Sequence, residues 1–238
     1  MSETILITGV GKRLGFALAQ RLLLDGYKVL GTYRSDYPQL QRLRENGADL
    51  QHVDFYQQKR LEGFLNYVSQ EYKTLRAIIH NASDWKPENK KDPAENAPQI
   101  MSQMMTIHAT VPYLVNLALK DHLMSGNKTS DIIHISDYVA EKGSKKHIAY
   151  AASKAALNNL TLSFSAMLAP KVKVNTISPA LLKFNEHDDE IYKTKALQKA
   201  LIPTEAGFDE VIDGINFLLT SNYMTGRTLH LDGGRHLK

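Results

Sequence analysis

Short apolar runs alternate with amphipathic stretches from one end of the chain to the other. The apolar runs are rich in Ile, Leu and Val, a pattern typical of buried strands. They are Ile5–Thr8, Lys28–Tyr33, Asp49–Asp54, Leu75–Asn81, Asp131–Ser136, Val172–Ser178 and Thr228–Leu231. The stretches between them, which repeat apolar positions with a helical period, are Leu14–Leu24, Pro38–Glu45, Gln58–Glu71, Gln99–Met124, Ile148–Leu168 and Asp209–Thr220.

This alternation predicts an α/β fold with parallel strands joined by right-handed helical crossovers and with helices on both faces of the sheet. The chain has 238 residues and carries no repeat, low-complexity tract or linker, so we expect a single domain over residues 1–238. Its least regular segment is Leu182–Thr204, which contains the polar cluster Asn185–Glu190. A metal site is possible there, but a solvated loop or a mobile flap over a substrate is the favoured interpretation.

Composition excludes several classes of protein. No run approaches the roughly 18 apolar residues of a membrane helix, and a strand pattern begins at once, so we expect no signal peptide. The chain has no cysteine, which excludes disulfides and thiolate metal sites and fits the cytoplasm. The net charge of +4 is dispersed without a basic, aromatic-interleaved stripe, so we expect no nucleic-acid partner. We also predict no metal, since His52, His122, His134 and His147 lack ligand spacing.

A glycine-rich turn, Thr8–Gly15, separates the first strand from the first helix. In an open α/β sheet this is where dinucleotides bind, because glycine lets the backbone approach a pyrophosphate at a helix N-terminus. A purely structural turn is the alternative. The second strand ends at Arg34 and Ser35 without an acidic residue, which suits a 2′-phosphate and favours NADPH over NADH. Asp54, after the third strand, either contacts the adenine or caps the next helix.

Candidate chemistry lies on the predicted helix Ile148–Leu168. Tyr150 and Lys154 are four residues apart and therefore project from one face. An ammonium group one turn away is expected to lower the pKa of the phenol, which makes Tyr150 a candidate proton donor. Asp137 follows the fifth apolar run, where it either takes part in proton transfer or caps the strand end.

Together these motifs resemble the short-chain dehydrogenase/reductase family. The resemblance rests on Thr8–Gly15, Asn81 with Ala82, Tyr150 with Lys154, Val174 and Asn175 with Pro179, and Thr225–Gly234. It implies a seven-stranded, doubly wound Rossmann sheet, a nicotinamide cofactor and usually a homotetramer. The implied cofactor-binding residues are Gly9, Lys12, Arg13, Leu14, Gly15, Arg34, Ser35, Asp54, Phe55, Asn81, Ala82, Ser83, Tyr150, Lys154 and Pro179, with Asn175 and Pro179 shaping the carboxamide pocket.

Three departures from the common family pattern resemble the pteridine reductases. Arg13 replaces a glycine, Asp137 replaces the catalytic serine, and Trp85 follows Ser83 by two residues. The stretches Ile107–Tyr113, Lys183–Asp189 and Leu231–Leu237 are similar to the bacterial dihydromonapterin reductases, also described as alternative dihydrofolate reductases. One further departure is His108, where most of the superfamily has an asparagine, so the usual proton-relay water chain is either lost or gains an imidazole.

The resemblance implies hydride transfer from NADPH to C6 of a 7,8-dihydropterin and protonation of N5 by Asp137, Tyr150 or a water. The expected substrate-binding residues are Arg13, Ser83, Trp85, Asp137 and Tyr150. For several of these, other roles remain open. Trp85 could stack on the pterin or anchor a loop, Arg13 could bind only phosphate, and Ser83 could face either the pterin or the nicotinamide.

Two other functions compete with this interpretation. A carbonyl reductase of the same family would act on a ketone or an acyl thioester, and the residue at position 137 discriminates between the two chemistries. A catalytically silent NADPH-binding sensor is the third possibility. The chain keeps both Tyr150 and Lys154, which favours an enzyme.

Overall fold

The computed structural model describes residues 3–88 and 94–238. The strands are β1 (Thr4–Ile7), β2 (Lys28–Tyr33), β3 (Asp49–His52), β4 (Ala77–His80), β5 (Ser130–Ile135), β6 (Val172–Pro179) and β7 (Thr228–Leu231). The α-helices are α1 (Arg13–Leu24), α2 (Leu40–Glu45), α3 (Gln58–Glu71), α4 (Ala97–Met105), α5 (Val111–Met124), α6 (Val139–Lys142), α7 (Ile148–Leu168), α8 (Glu190–Leu197) and α9 (Asp209–Thr220). A π-helical segment, Thr106–Thr110, joins α4 to α5, and a 3₁₀ turn covers Arg235–Leu237.

Within the described ranges the seven strands form one parallel sheet in the order β3-β2-β1-β4-β5-β6-β7. This is the doubly wound arrangement of a Rossmann-type fold, and it confirms the predicted fold class. The winding direction reverses between β1 and β4. Ligands of such sheets bind in the crevice outside the carboxyl ends of the strands at this reversal.

The core has two layers, one on each face of the sheet. Successive side chains of a strand point to opposite faces, and β1 shows the consequence. Ile5 and Ile7 pack in one apolar cluster with α1 and α9, whereas Leu6 packs in another with α3, α5 and α7. A strand buried on both sides reads as a continuous apolar run, which is why β1 is visible in the sequence.

The predicted single helix Gln99–Met124 is wrong in its middle. The chain forms α4, the π-helical segment and α5 in succession. Pro112 lies in the first turn of α5, where its missing N–H and its ring prevent an ordinary α-helical bond to the preceding turn. The wider π turn accommodates this break, and it carries His108.

The segment Leu182–Thr204 is also more regular than predicted, because it contains α8. Asp189, a member of the polar cluster, caps this helix by accepting a hydrogen bond from the Tyr192 backbone N–H at 2.7 Å. Other differences are smaller. The third and fourth strands are shorter than predicted, α2 begins at Leu40 rather than Pro38, and the short helix α6 was not predicted. Among the helices of the described residues, none is long and apolar enough to cross a membrane.

A buried charge cluster lies at the edge of the sheet opposite the crevice. The carboxylate of Asp131 at the start of β5 bonds to the guanidinium of Arg76 and to the ammonium of Lys173. Both cations also donate to carbonyl oxygens at the end of α9, those of Leu219 and Leu218. Burial raises the pKa of the Asp131 carboxyl against the opposing effect of the two cations.

Replacing Asp131 by alanine would leave the buried ammonium of Lys173 without a carboxylate, and Arg76 would keep only Glu3, whose Oε2 lies 3.8 Å from Arg76 Nε. We expect Asp131→Ala to lower the free energy of unfolding by about 3–5 kcal/mol, as removing one partner of a buried ion pair does. The exposed pair of Arg21 and Asp25 supplies the control, since Asp25→Ala should cost no more than about 1 kcal/mol. Urea denaturation followed by circular dichroism measures both, and equal losses would contradict a stabilising role for the cluster.

Candidate active site

Two glycines let the turn between β1 and α1 fold tightly against its neighbours. Gly9 has a φ of +77°, and a Cβ there would lie 2.8 Å from the Cα of Ala82. A Cβ on Gly15 would lie 2.0 Å from the carbonyl oxygen of Gly9, closer than any real contact. Both positions therefore require glycine, which lets the turn pack against the residues that follow β4.

Thr8 and Asn81 fasten this turn to the end of β4. The Thr8 hydroxyl accepts hydrogen bonds from the backbone N–H groups of Asn81 and Ala82, each at 3.0 Å. The Asn81 side chain donates to the carbonyl oxygens of Thr8 at 3.1 Å and Gly9 at 2.9 Å. The Asn81 side-chain amide is thus engaged in holding the cofactor turn.

Arg13 connects the turn to the segment Leu182–Thr204. It holds a left-handed backbone with φ of 53°, unusual for a residue with a side chain. Its guanidinium donates to the Lys183 carbonyl oxygen at 2.6 Å and to Asn185 Oδ1 at 3.0 Å, and lies 5.7 Å from the ring centroid of Phe208. Both hydrogen bonds therefore connect Arg13 to Leu182–Thr204, the segment predicted to cover the substrate.

Arg34, at the tip of β2, forms an ion pair with Asp84. Arg34 Nη1 lies 3.0 Å from Asp84 Oδ2, and the guanidinium stands 5.7 Å from the ring centroid of Tyr56. The hydrogen bond with Asp84 raises the pKa of Arg34, and the cation is half exposed toward the crevice. Ser35 beside it is exposed, as a residue that contacts a 2′-phosphate must be.

The other predicted cofactor residues lie along the same edge with different exposure. Lys12 is exposed and lies over the ring of Tyr37, whereas Leu14, Phe55 and Pro179 are buried. Phe55 packs edge-on against Phe64 in the core, so its side chain is not free to contact a cofactor. The carboxylate of Asp54 accepts from the Tyr56 backbone N–H at 3.1 Å and from Gln57 Nε2 at 2.9 Å, which is the turn-capping alternative.

Asn175 has a structural use, and its predicted part in shaping the carboxamide pocket stays a prediction. Its side chain is fully buried, donating to the Met224 carbonyl oxygen at 2.7 Å and accepting from the Arg227 backbone N–H at 3.1 Å. It therefore fastens the loop before β7 to β6. A buried amide can serve this structural purpose with the same sequence signature.

Asp137, Tyr150 and Lys154 come together at the carboxyl end of β5. The Tyr150 hydroxyl donates to Asp137 Oδ2 at 2.9 Å, and Asp137 Oδ1 accepts from the Val139 backbone N–H at 2.9 Å. One oxygen therefore caps the strand end and the other contacts the phenol, while a part for Asp137 in proton transfer stays a prediction. Lys154 is buried and donates to the Ile135 carbonyl oxygen at 2.9 Å.

The electrostatics of these three groups differ from the prediction in one respect. Burial raises the pKa of the Asp137 carboxyl, outweighing the Val139 N–H and the charge of Lys154. Burial and then the charge of Asp137 raise the pKa of Tyr150 well above its ordinary value, so the predicted lowering is wrong. Lys154 binds a carbonyl and faces the ring rather than the phenol oxygen. Burial lowers the pKa of Lys154 itself to about 8.

A buried imidazole bridges two serines behind the tyrosine. Ser153 Oγ donates to the Tyr150 carbonyl oxygen at 2.7 Å, so it accepts the 2.8 Å bond that it shares with His108 Nδ1. Burial lowers the pKa of His108 to about 2, so the ring is neutral and carries one proton. That proton lies on Nδ1, because Nδ1 donates to Ser153 Oγ. His108 Nε2 then accepts from the Ser83 hydroxyl at 2.8 Å. Ser83 is exposed, and its hydroxyl also forms a hydrogen bond with Tyr150 that lowers the pKa of the phenol against the other effects.

Trp85 stands open at the mouth of the crevice. Its side chain is 60% exposed, and its ring meets His147 edge-on with centroids 5.0 Å apart. The Trp85 backbone N–H donates to Asp84 Oδ1 at 3.0 Å. One face of an exposed indole beside a crevice is available for a flat ligand.

Comparison with known proteins identifies the family. A short-chain dehydrogenase/reductase family model, described as enoyl-(acyl carrier protein) reductase, matches residues 9–236. The chain belongs to the short-chain dehydrogenase/reductase family. It is 49% identical over 235 residues to a dihydromonapterin reductase of Klebsiella pneumoniae, covering 98% of this chain and 97% of the relative. It is 49% identical over 238 residues to a dihydromonapterin reductase of Escherichia coli O6:H1, covering 100% and 98%.

Solved structures show the same fold at lower identity. An apo SCOR enzyme from Clostridium thermocellum superposes with a TM-score of 0.86 at 20% identity over 100% of this chain and 94% of its own. A ligand-free aldohexose dehydrogenase from Thermoplasma acidophilum gives 0.86 at 19% identity over 100% and 95%. The predicted resemblance to this family and to its dihydromonapterin reductases is confirmed. The chain is an oxidoreductase of a family whose reductases use a nicotinamide cofactor.

Two residues near the crevice of this short-chain reductase were not predicted. Ser153 lies three residues after Tyr150 on α7, a spacing that would have placed it on the same helix face. Asp84 offered no such signal, because its partner Arg34 is 50 residues away in the chain. Among the described residues, no group of three or more His, Asp or Glu side chains is placed to hold a metal ion.

We expect the His108 imidazole to stay neutral between about pH 5 and 9, with its proton on Nδ1, because its pKa is lowered to about 2. Two-dimensional ¹H–¹⁵N NMR of the histidine rings measures both properties. The chain has nine histidines, so the His108 signals are assigned by their loss in His108→Phe. Titration of His108 near the ordinary histidine pKa, or a proton on Nε2, would contradict the hydrogen-bond directions assigned between Ser83, His108 and Ser153.

Proposed function

We propose that this protein reduces a 7,8-dihydropterin with NADPH, with C6 gaining a hydride and N5 a proton to form the tetrahydropterin. Dihydromonapterin is the proposed substrate, with dihydrofolate and dihydrobiopterin as further candidates. The observation that carries the proposal is the contact of the Tyr150 hydroxyl with Asp137 Oδ2 at 2.9 Å, where other family members use serine. The two relatives named dihydromonapterin reductase support the same substrate class.

A carboxyl group at this position suits the protonation of a nitrogen. Reduction of an imine places the developing charge on N5, which needs a proton donor rather than a hydrogen bond to a carbonyl oxygen. Burial raises the pKa of Asp137, so the carboxyl holds a proton at higher pH than an exposed aspartate does. Tyr150, whose own pKa is raised, is the weaker acid of the two. We therefore assign the proton source to Asp137, with Tyr150 orienting the carboxyl through its hydrogen bond.

The tightly packed glycine turn supports a dinucleotide cofactor. The positions of Gly9 and Gly15 exclude any side chain, leaving backbone and the start of α1 to face a pyrophosphate. When bound, the nicotinamide supplies the hydride from its C4. Lys154, held at the Ile135 carbonyl, is assigned to the nicotinamide ribose and Pro179 to the carboxamide end. Arg34 and Ser35 are assigned to the 2′-phosphate that distinguishes NADPH.

Trp85 and Ser83 provide the features that a pterin requires. The exposed indole offers a stacking face worth about 0.5–1.5 kcal/mol beyond burial. Ser83, with its proton committed to His108, offers acceptor lone pairs to an N–H group of the pterin edge or of the cofactor carboxamide. Arg13 is assigned to the pterin edge and the cofactor phosphates. Its bonds to Lys183 and Asn185 support a substrate-covering role for residues 182–204.

Two assembly and location properties belong to the same proposal. Helices α5 and α7 expose apolar side chains, including Tyr113, Leu114, Leu162 and Met167. Exposed apolar groups on neighbouring helices fit an interface between copies of the chain, which supports the expected homotetramer. A cytoplasmic location rests on the absence of cysteine alone.

The direct test is steady-state oxidation of NADPH with dihydromonapterin, dihydrobiopterin and dihydrofolate, each repeated with NADH. We expect turnover with dihydromonapterin and a higher kcat/KM with NADPH than with NADH, because Arg34 gains a charge-assisted bond only from the 2′-phosphate. Absence of turnover with all three pterins would overturn the proposal. A preference for NADH would overturn only the cofactor assignment.

Asp137→Asn tests the proton source. We expect kcat to fall by about 10²- to 10⁴-fold, the usual contribution of a general acid, with a smaller effect on KM. In the unmodified enzyme kcat should fall as pH rises through the raised pKa of Asp137, since the protonated form is the donor. That limb should vanish in Asp137→Asn. Glu141→Gln is the control, because Glu141 is an exposed acid on the adjoining helix α6.

The same position separates the pterin reductase from the carbonyl reductase alternative. Asp137→Ser restores the serine that other family members use with carbonyl substrates. Retained or improved pterin reduction by Asp137→Ser would remove the main support for the proposal. Gain of ketone reduction together with loss of pterin reduction is the expected result.

A further inference from the structure

The Arg34–Asp84 ion pair occupies the place assigned to the cofactor 2′-phosphate. Asp84 Oδ2 lies 3.0 Å from Arg34 Nη1 and accepts a further bond from the Tyr56 hydroxyl at 3.4 Å. The Arg34 side chain is 52% exposed and that of Asp84 is 28% exposed, so an incoming anion can reach the guanidinium. The Asp84 carboxylate and a phosphate are both negatively charged, so a bound 2′-phosphate must either share the Arg34 guanidinium with Asp84 or replace Asp84 as its partner.

The other oxygen of Asp84 bonds to Trp85, whose indole is the proposed stacking surface for the substrate and is called the substrate platform below. Asp84 Oδ1 accepts the backbone N–H of Trp85 at 3.0 Å. Asp84 thus holds Arg34 with one oxygen and Trp85 with the other, and the carboxylate is rigid, so moving one end moves both. Ser83, on the other side, is anchored separately through His108, which leaves Asp84 and Trp85 as the part of this loop that can respond.

We propose that Asp84 competes with the cofactor 2′-phosphate for Arg34, and that the exchange of partners is transmitted through Asp84 to the position of Trp85. Asp84 is thereby a positioning residue that couples cofactor selection to the substrate platform. The inference rests on the proposed function through its preference for NADPH. Linkage makes this coupling reciprocal. A ligand that stacks on Trp85 and draws Asp84 away from Arg34 raises the affinity for a 2′-phosphate by the factor by which the 2′-phosphate raises the affinity for that ligand.

The experiment uses nucleotides that lack the nicotinamide, so that binding is measured without turnover. The full-length protein is titrated with 2′,5′-ADP and with 5′-AMP at constant pH and low salt, by calorimetry and by tryptophan fluorescence. Trp85 is the only tryptophan of the chain, so the emission reports this loop alone. We expect 2′,5′-ADP to bind tighter and to change the Trp85 emission, whereas 5′-AMP leaves it unchanged.

Asp84→Asn removes the competing charge while retaining the shape of the side chain. We expect it to tighten 2′,5′-ADP binding by about threefold to tenfold, to leave 5′-AMP binding unchanged, and to reduce the emission response toward that with 5′-AMP. Asp36→Asn is the matched control. Asp36 lies two residues from Arg34 but is paired with Arg44 at 3.9 Å, so its removal should change 2′,5′-ADP binding by less than about twofold.

The outcomes separate this inference from the function on which it rests. If 2′,5′-ADP binds no tighter than 5′-AMP, both the NADPH preference and the inference fail. If it binds tighter but Asp84→Asn has no effect, or Asp36→Asn has an equal one, only the inference fails. An equal change of Trp85 emission with both nucleotides also overturns it. Melting temperatures of the variants check that each remains folded, which we expect because the Asp84 carboxylate is partly exposed and that of Asp36 is largely so.

Discussion

The attachment of the β1–α1 turn to the end of β4 is the constraint on which the rest of the site depends. Gly15 can approach the Gly9 carbonyl only because it lacks a Cβ, and Thr8 and Asn81 then lock the turn in place. This junction lies where the winding of the sheet reverses, so it defines the crevice. The residues directly after Asn81 are those that carry the serine, the carboxylate and the indole at the mouth of that crevice. One tight contact between two strand ends therefore sets the position of both the cofactor turn and the substrate platform.

At the next strand, burial determines the chemistry. Burial raises the pKa of the Asp137 carboxyl, so it keeps its proton more readily than an exposed one, even though the Tyr150 phenol and the Lys154 ammonium oppose this effect. Burial also raises the pKa of Tyr150, which makes the phenol a weaker acid, and lowers the pKa of Lys154 to about 8, so its ammonium loses its proton more readily. In the proposed mechanism, Asp137 in place of the family's serine changes which side chain holds the transferable proton. A shared tyrosine and lysine can serve different reductions because the third residue supplies the difference.

The two arginines predicted to meet ligands both have protein partners in the described structure. Arg13 donates to the segment that contains α8, and Arg34 to Asp84. Each partner belongs to an element proposed to touch the substrate, so Arg13 is linked to the substrate side by hydrogen bonds and Arg34 by an ion pair. Exchange of these partners for ligand oxygens costs little, because the groups are exposed and already screened by solvent. The proposed cofactor and substrate sites would in this way be connected without a movement of the sheet.

Periodicity in the sequence determined most of the fold, since buried parallel strands and amphipathic helices each leave a local pattern, and β2, β7, α3, α7 and α9 have the predicted bounds. Local spacing also placed Tyr150 and Lys154 on one helix face. The sequence did not determine the break at Pro112, the helix in the Leu182–Thr204 segment, the structural use of Asn175 or the pairing of Arg34 with Asp84. It also gave the wrong direction for the pKa of Tyr150. These properties depend on which groups meet across long distances in the chain and on how much water is excluded around them. Only the tertiary structure decides such contacts, because desolvation and charge act through space rather than along the sequence.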